Sequence, residues 1–98
     1  MEVKVNAVHF TADQKLVNFV NTKVNKLDTY FDNIISSEVL LKLDKSSENE
    51  NKVAEVKVMM PGKELFAKKQ CKSFEEAADL AVDALKKQIQ KHKGKLHG

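Results

Sequence analysis

Residues 86–95 read KKQIQKHKGK, which is five lysines, one histidine and no acid. Ammonium groups at that density do one kind of chemistry well, the neutralisation of a polyanion. Lysines also gather at helix C-termini, where the macrodipole favours each cation by ~0.3–1 kcal/mol, and this accounts for one or two of them. The rest of the charge pattern goes further. All 14 acidic residues lie at or before Asp83; residues 1–84 carry 12 lysines against those 14 acids, whereas residues 85–98 carry five lysines and no acid. A net charge of +3 therefore hides a polarised molecule whose basic end suits nucleic acid or an anionic membrane surface, with a merely solvated face as the plain alternative. No arginine is present. Lysine is a mobile point charge without the bidentate fork that reads guanine or clamps phosphate, so recognition of shape and backbone is expected, not of base sequence.

Other reactive residue types are sparse. Cys71 ends a segment of strand character on its apolar side and reads as a small core residue, since no histidine is spaced as its partner. His92 and His97 lack a third neighbouring ligand for a metal. There is no Gly-rich phosphate loop and no Ser/His/Asp set. Neither an enzyme nor a bound cofactor is expected, and no small-molecule substrate.

These groups must be positioned by a chain of 98 residues, enough for one domain spanning 1–98, with 42% hydrophobic and 32% charged residues. The start MEVKVNAVHF has neither the apolar run of a signal peptide nor the Arg/Ser-rich character of a transit peptide, and no apolar run approaches a membrane span. A single cysteine fits a reducing compartment, and the cytosol is the expected location.

Polar/apolar alternation over residues 2–8 predicts a strand. Thr11 and Gln14 have capping-box spacing, predicting a helix from about residue 12 through residue 31 with Leu16, Val20, Val24, Leu27 and Phe31 at helical intervals. After a turn at Asp32–Asn33 come three strands. The first has Val39, Leu41 and Leu43 on one face. The second, residues 52–60, has Ala54, Val56, Val58 and Met60 inward. The third, residues 63–71, has Leu65, Ala67 and Cys71 inward. A polar hairpin loop covers 45–51, and Pro61–Gly62 supplies a type II turn. Ser73 and Glu76 form a second capping box for a helix over 74–93. The order β-α-β-β-β-α implies an α+β two-layer sandwich, a four-stranded, mostly antiparallel sheet with two helices on one face. A ferredoxin-like RNA-recognition domain would need a different order and aromatic residues on its central strands, which these lack.

On the first helix, Lys23 falls inside the apolar arc and Lys26 on its edge, so either Lys23 carries its ammonium out beside the second helix or the apolar face is shallow there. On the second helix, Lys87 and Lys91 flank one margin of the apolar face and Lys86 and Lys93 the other, while Glu76, Asp79 and Asp83 occupy the solvent side of its N-terminal half. With the helices side by side, Lys23 and Lys26 would join one of these rails in a basic groove suited to a phosphate backbone. His92 lies along the core arc, where it packs or touches a phosphate. Tyr30 and Phe31 are expected to cap the core.

Two segments, TKVNKLDTYFDNI (22–34) and KKQIQKHKGKL (86–96), resemble the end of the first helix and the closing helix of the ribosome hibernation-promoting factors, also called ribosome-associated inhibitor A or sigma-54 modulation proteins. The resemblance covers essentially the whole chain. It implies a fold similar to a double-stranded RNA-binding domain, docked on 16S rRNA of the small ribosomal subunit in the channel for messenger and A- and P-site transfer RNA. Inhibition of translation in starved or stationary cells would follow from occlusion. The family's basic positions fall on Lys23, Lys26, Lys86, Lys87, Lys91, Lys93 and Lys95, with His92 beside them. Two departures are evident: SFEEAAD (73–79) keeps the cap and Asp79 but lacks the tyrosine common at that helix start, and the chain stops at Gly98. It thus resembles a short form without the C-terminal dimerisation domain, for which pairing of ribosomes would require a second hibernation factor. A protein-binding regulator of transcription, acting through the exposed sheet face, is the competing expectation. A peripheral membrane role is weaker, because the apolar helix faces are needed for the core.

Overall fold

Four strands form one sheet in the order β1-β2-β3-β4. In the computed structural model, which describes the backbone of residues 1–46 and 48–97 and side chains as far as Lys91, these are β1 (Glu2–Ala7), β2 (Ser36–Leu43), β3 (Lys52–Met60) and β4 (Lys63–Cys71). The helices are α1 (Gln14–Asn25), a single turn α2 (Leu27–Tyr30) and α3 (Phe74–His97). β1 pairs with β2 in parallel, Val5 opposite Val39, because the α1–α2 crossover joins them; the other two pairings are antiparallel hairpins. Met60 faces Lys63 across the turn, where Gly62 takes φ 73°. An added Cβ there would meet nothing within 4 Å, so the need for glycine is conformational, as a type II turn requires. The longer β2–β3 loop is closed by Asp44, whose carboxylate accepts from the Ser46 hydroxyl (2.6 Å), the Ser46 N–H (3.0 Å) and Gln70 Nε2 (3.0 Å). Those hydrogen bonds hold its pKa below the usual carboxylate value, the Ser46 hydroxyl contributing most.

The α+β two-layer sandwich is thus the observed architecture. The helices cover the sheet face that carries Val39, Leu41, Val56, Val58, Leu65 and Ala67, all buried. Burial of each large aliphatic side chain such as Leu41, Leu85 or Ile89, all 0% exposed, stabilises by ~1.5–3 kcal/mol. Ala77, Ala78 and Ala81, also fully buried, are small enough to let α3 lie close against its neighbours. Phe10, from the β1–α1 loop, stacks on Phe74 at 4.9 Å and 10°, fixing the start of α3 to the loop before α1. Ser73 caps α3, its Oγ accepting from the Glu76 N–H at 3.1 Å.

Several local expectations are corrected. The first helix is capped by Asp13, not Thr11: its carboxylate accepts the Leu16 N–H at 2.8 Å and the helix opens at Gln14. That helix is also not continuous. At Lys26 the carbonyl accepts from both the Thr29 N–H (3.1 Å) and the Thr29 hydroxyl (2.6 Å), and this tighter i→i+3 closure separates α1 from α2. Leu43 lies at the end of β2, past the helical cover, and is 41% exposed. Val53 is buried although it faces away from the helices, registered between Lys42 and Gln70. Phe31 is buried as expected, but Tyr30 is 53% exposed and caps nothing.

Candidate nucleic-acid interface

α1 and α3 pack side by side on the sheet, and the cleft between them is built by the residues next to the core positions. Val20, Val24 and Leu27 turn inward, which leaves Lys23 on the flank that meets α3. Its side chain is only 28% exposed; the ammonium passes 5.5 Å from the Phe19 ring centroid and reaches Asp79 Oδ1 on α3 at 3.3 Å. The expected snorkelling therefore occurs, and its endpoint is a carboxylate. The break at Lys26 reorients the chain so that α2 sends Leu27 into the core and lifts Tyr30 to the rim. From the opposite wall, Lys86 lays its ammonium 4.2 Å from the centroid of the Tyr30 ring. The result is an open cavity of about 150 Å³ lined by Lys23, Lys26, Leu27, Tyr30, Asp79, Val82, Asp83 and Lys86.

The groove is present, but its charge is mixed. Three lysines line it together with two aspartates, Asp79 and Asp83, which are exposed as the sequence predicts but face the cleft. The signal was available in the helical angles: at ~100° per residue, Asp79 and Asp83 fall within roughly 60° of Lys86 on the same margin of α3. Which margin meets α1 is a tertiary fact that the angles alone do not give. Lys87 and Lys91 belong to the other margin and do not line the cavity. Both are exposed, Lys87 is paired with Asp83 at 3.3 Å across one helical turn, and the neighbouring Gln88 Nε2 donates to the Phe66 carbonyl on β4 at 3.1 Å. The side chains of His92, Lys93 and Lys95 lie outside the described residues; their backbone continues α3 beyond the expected end at residue 93. Among the described residues the cleft thus gathers Lys23, Lys26 and Lys86, whereas Lys87 and Lys91 lie outside it.

Elsewhere the chemistry is limited. Burial pushes the Cys71 thiol up from its usual pKa, with the nearby Glu76 and Glu50 charges adding to the effect, so it stays protonated at neutral pH and packs as a core residue. Among the described residues no cluster of His, Cys, Asp and Glu is placed to hold a metal ion. Among the described residues no helix is long and apolar enough to cross a membrane. The sheet face opposite the helices carries a second depression, of about 190 Å³, lined by Asn6, Glu38, Leu40, Glu55, Lys57 and Phe66 among others.

Comparison with known proteins supplies the context for this cleft. The ribosome hibernation promoting factor of Pseudomonas putida is 28% identical over 95 residues, covering 97% of this chain and 89% of that protein. That of Escherichia coli K12 is 30% identical over 96 residues, 98% of this chain and 97% of that protein. In three dimensions a ribosomal subunit interface protein from Coxiella burnetii superposes with a TM-score of 0.85 at 18% identity, covering 96% of this chain and 99% of that one, a likeness of fold. The family model described as sigma 54 modulation protein / S30EA ribosomal protein matches residues 3–97, and the chain belongs to that family.

Proposed function

We propose that this chain is a ribosome hibernation factor of the cytoplasm, acting as a single ribosome-binding domain. It binds 16S rRNA of the small subunit in the decoding channel and silences translation by occluding messenger and A/P-site transfer RNA. The family is one of non-enzymatic binding proteins, and relatives that align along almost the whole chain are named ribosome hibernation promoting factors. The observation that carries the reading is the cleft itself. Lys23, Lys26 and Lys86 converge there between two rigid helices, and α3 then runs on through a stretch with no acidic residue after Asp83. Its three lysines outnumber its two aspartates, which leaves positive charge for a phosphate backbone and no fork with which to read bases.

The test is direct. Purified protein added to small subunits should co-sediment with them and should block binding of initiator transfer RNA. Co-sedimentation without any loss of transfer RNA binding would contradict the decoding channel as the location. A second reading, a protein-binding regulator using the open sheet face, is favoured by Met59 and Phe66, which are 38% and 48% exposed there. Phe66→Asp separates the two: it should leave ribosome binding unchanged if the cleft is the interface.

A further inference from the structure

Tyr30 is the only tyrosine of the chain, which has no tryptophan, and its placement differs sharply from that of its neighbour. Phe31 is 4% exposed and belongs to the core, whereas Tyr30 is 53% exposed on the rim of the lysine cleft. Its ring meets that of Phe31 at a tilt of 56° with centroids 6.3 Å apart, a contact that still leaves the tyrosine half-exposed. The Tyr30 ring also carries a cation, Lys86 Nζ at 4.2 Å from the centroid, and Lys23 and Lys26 line the same cavity together with Asp79 and Asp83. A half-exposed aromatic face between ammonium groups combines the two parts of a nucleotide site: a platform for the base and counter-charges for its phosphates.

Resting on the ribosomal RNA reading above, we propose that Tyr30 is a stacking platform for one unpaired nucleobase, with Lys23, Lys26 and Lys86 holding the phosphates on either side of it. In the free protein Lys86 occupies the ring face. A base slides onto the tyrosine with far more overlap than a single ammonium, and Lys86 moves to the neighbouring phosphate, so neither the ring nor the cation is left without a partner. A base inside a duplex has no open face, so the ligand is a looped, terminal or flipped-out nucleotide, in contrast to the backbone-only recognition that lysines alone would provide. Stacking tolerates any base, because each has a π-face, so the site adds a preference for unpaired RNA without adding sequence specificity.

Because Tyr30 is the sole tyrosine, the intrinsic tyrosine emission of the full chain reports on this ring alone. Two probes are titrated, a short oligouridylate and an abasic oligomer of the same length and charge, with emission corrected for absorption. Oligouridylate should bind more tightly and quench the emission, while the abasic oligomer should bind without comparable quenching. Tyr30→Leu should weaken oligouridylate by about five- to a hundredfold and leave the abasic oligomer unaffected, and Tyr30→Phe should retain wild-type affinity. Equal affinity and equal quenching by the two probes, no measurable binding of oligouridylate, or an unchanged Tyr30→Leu variant would each overturn the proposal. Sedimentation of the same variants with small subunits keeps the two readings apart. Wild-type protein that binds subunits while Tyr30 proves indifferent to bases overturns stacking alone, and wild-type protein that stays free of subunits overturns the ribosomal reading itself.

Discussion

Replacing Asp79 with Asn should tighten RNA binding, because Asp79 holds one of the lysines that the RNA must use. Lys23 Nζ lies 3.3 Å from Asp79 Oδ1, the side chains being 28% and 58% exposed. At such exposure the pair contributes only ~0.2–1 kcal/mol, so the folded state loses no more than that when the charge is removed. Binding gains in two ways. Lys23 no longer has to leave its carboxylate, which returns up to the same ~0.2–1 kcal/mol. A phosphate held by Lys23 would also sit roughly 6–7 Å from the carboxylate, where repulsion in a water-filled cleft is ~0.6 kcal/mol before screening and ~0.3 kcal/mol at physiological salt. Together these give ~0.5–1.3 kcal/mol, or about two- to tenfold in affinity. The assay is titration of a labelled small-subunit rRNA fragment with wild-type, Asp79→Asn and Glu48→Gln proteins. The last makes the same charge change on the exposed β2–β3 loop, away from the cleft. Asn should tighten binding and Gln should not. Equal enhancement by both would reduce the effect to net charge, and unchanged or weaker binding by Asp79→Asn would refute the competition.

Two further predictions concern the scaffold. Leu85, 0% exposed beneath the cleft wall, should cost ~2–5 kcal/mol of stability when cut to Ala, read as a shifted urea midpoint with unchanged slope; a loss under ~1 kcal/mol would contradict its place in the core. Asp44 has a folded pKa below its unfolded value, so its contribution is present above the ordinary carboxylate range and disappears as pH falls through that lowered value. The urea midpoints of wild-type and Asp44→Asn proteins should therefore differ at neutral pH and converge on acidification, and a gap independent of pH would contradict the loop's hydrogen-bond geometry.

The strands and their order were legible because each carries its own period-two pattern, and β3 and β4 begin and end where alternation and the Pro61–Gly62 turn require. Helix details were less so. Thr11 and Asp13 both fit a cap, and only the hydrogen bond to Leu16 decides between them. Apolar spacing runs through Lys26 without interruption, so the break made by Thr29 leaves no periodic trace. The lysines of the cleft could be named, because Lys23 had to escape the apolar arc. Its acids could not be, since the turn of α3 about its own axis is set by how Ala77, Ala81 and Leu85 pack, and that brings Asp79 and Asp83 round with Lys86. Tyr30 follows a related rule: an aromatic residue beside a core phenylalanine reads as core in sequence, but the break before it turns its ring outward.

The central claim, that the cleft between α1–α2 and α3 is the ribosome-binding surface, is tested most directly by sedimentation with small subunits over a series of salt concentrations. With the three cleft lysines each holding a phosphate, log K of the wild-type protein should fall against log salt with a slope of roughly −2 to −3. Lys26→Glu with Lys86→Glu should abolish co-sedimentation while circular dichroism stays native, and Lys87→Glu with Lys91→Glu, on the margin away from the cavity, should weaken it less. A cleft variant that sediments with subunits as the wild type does, at an unchanged slope, would contradict the account.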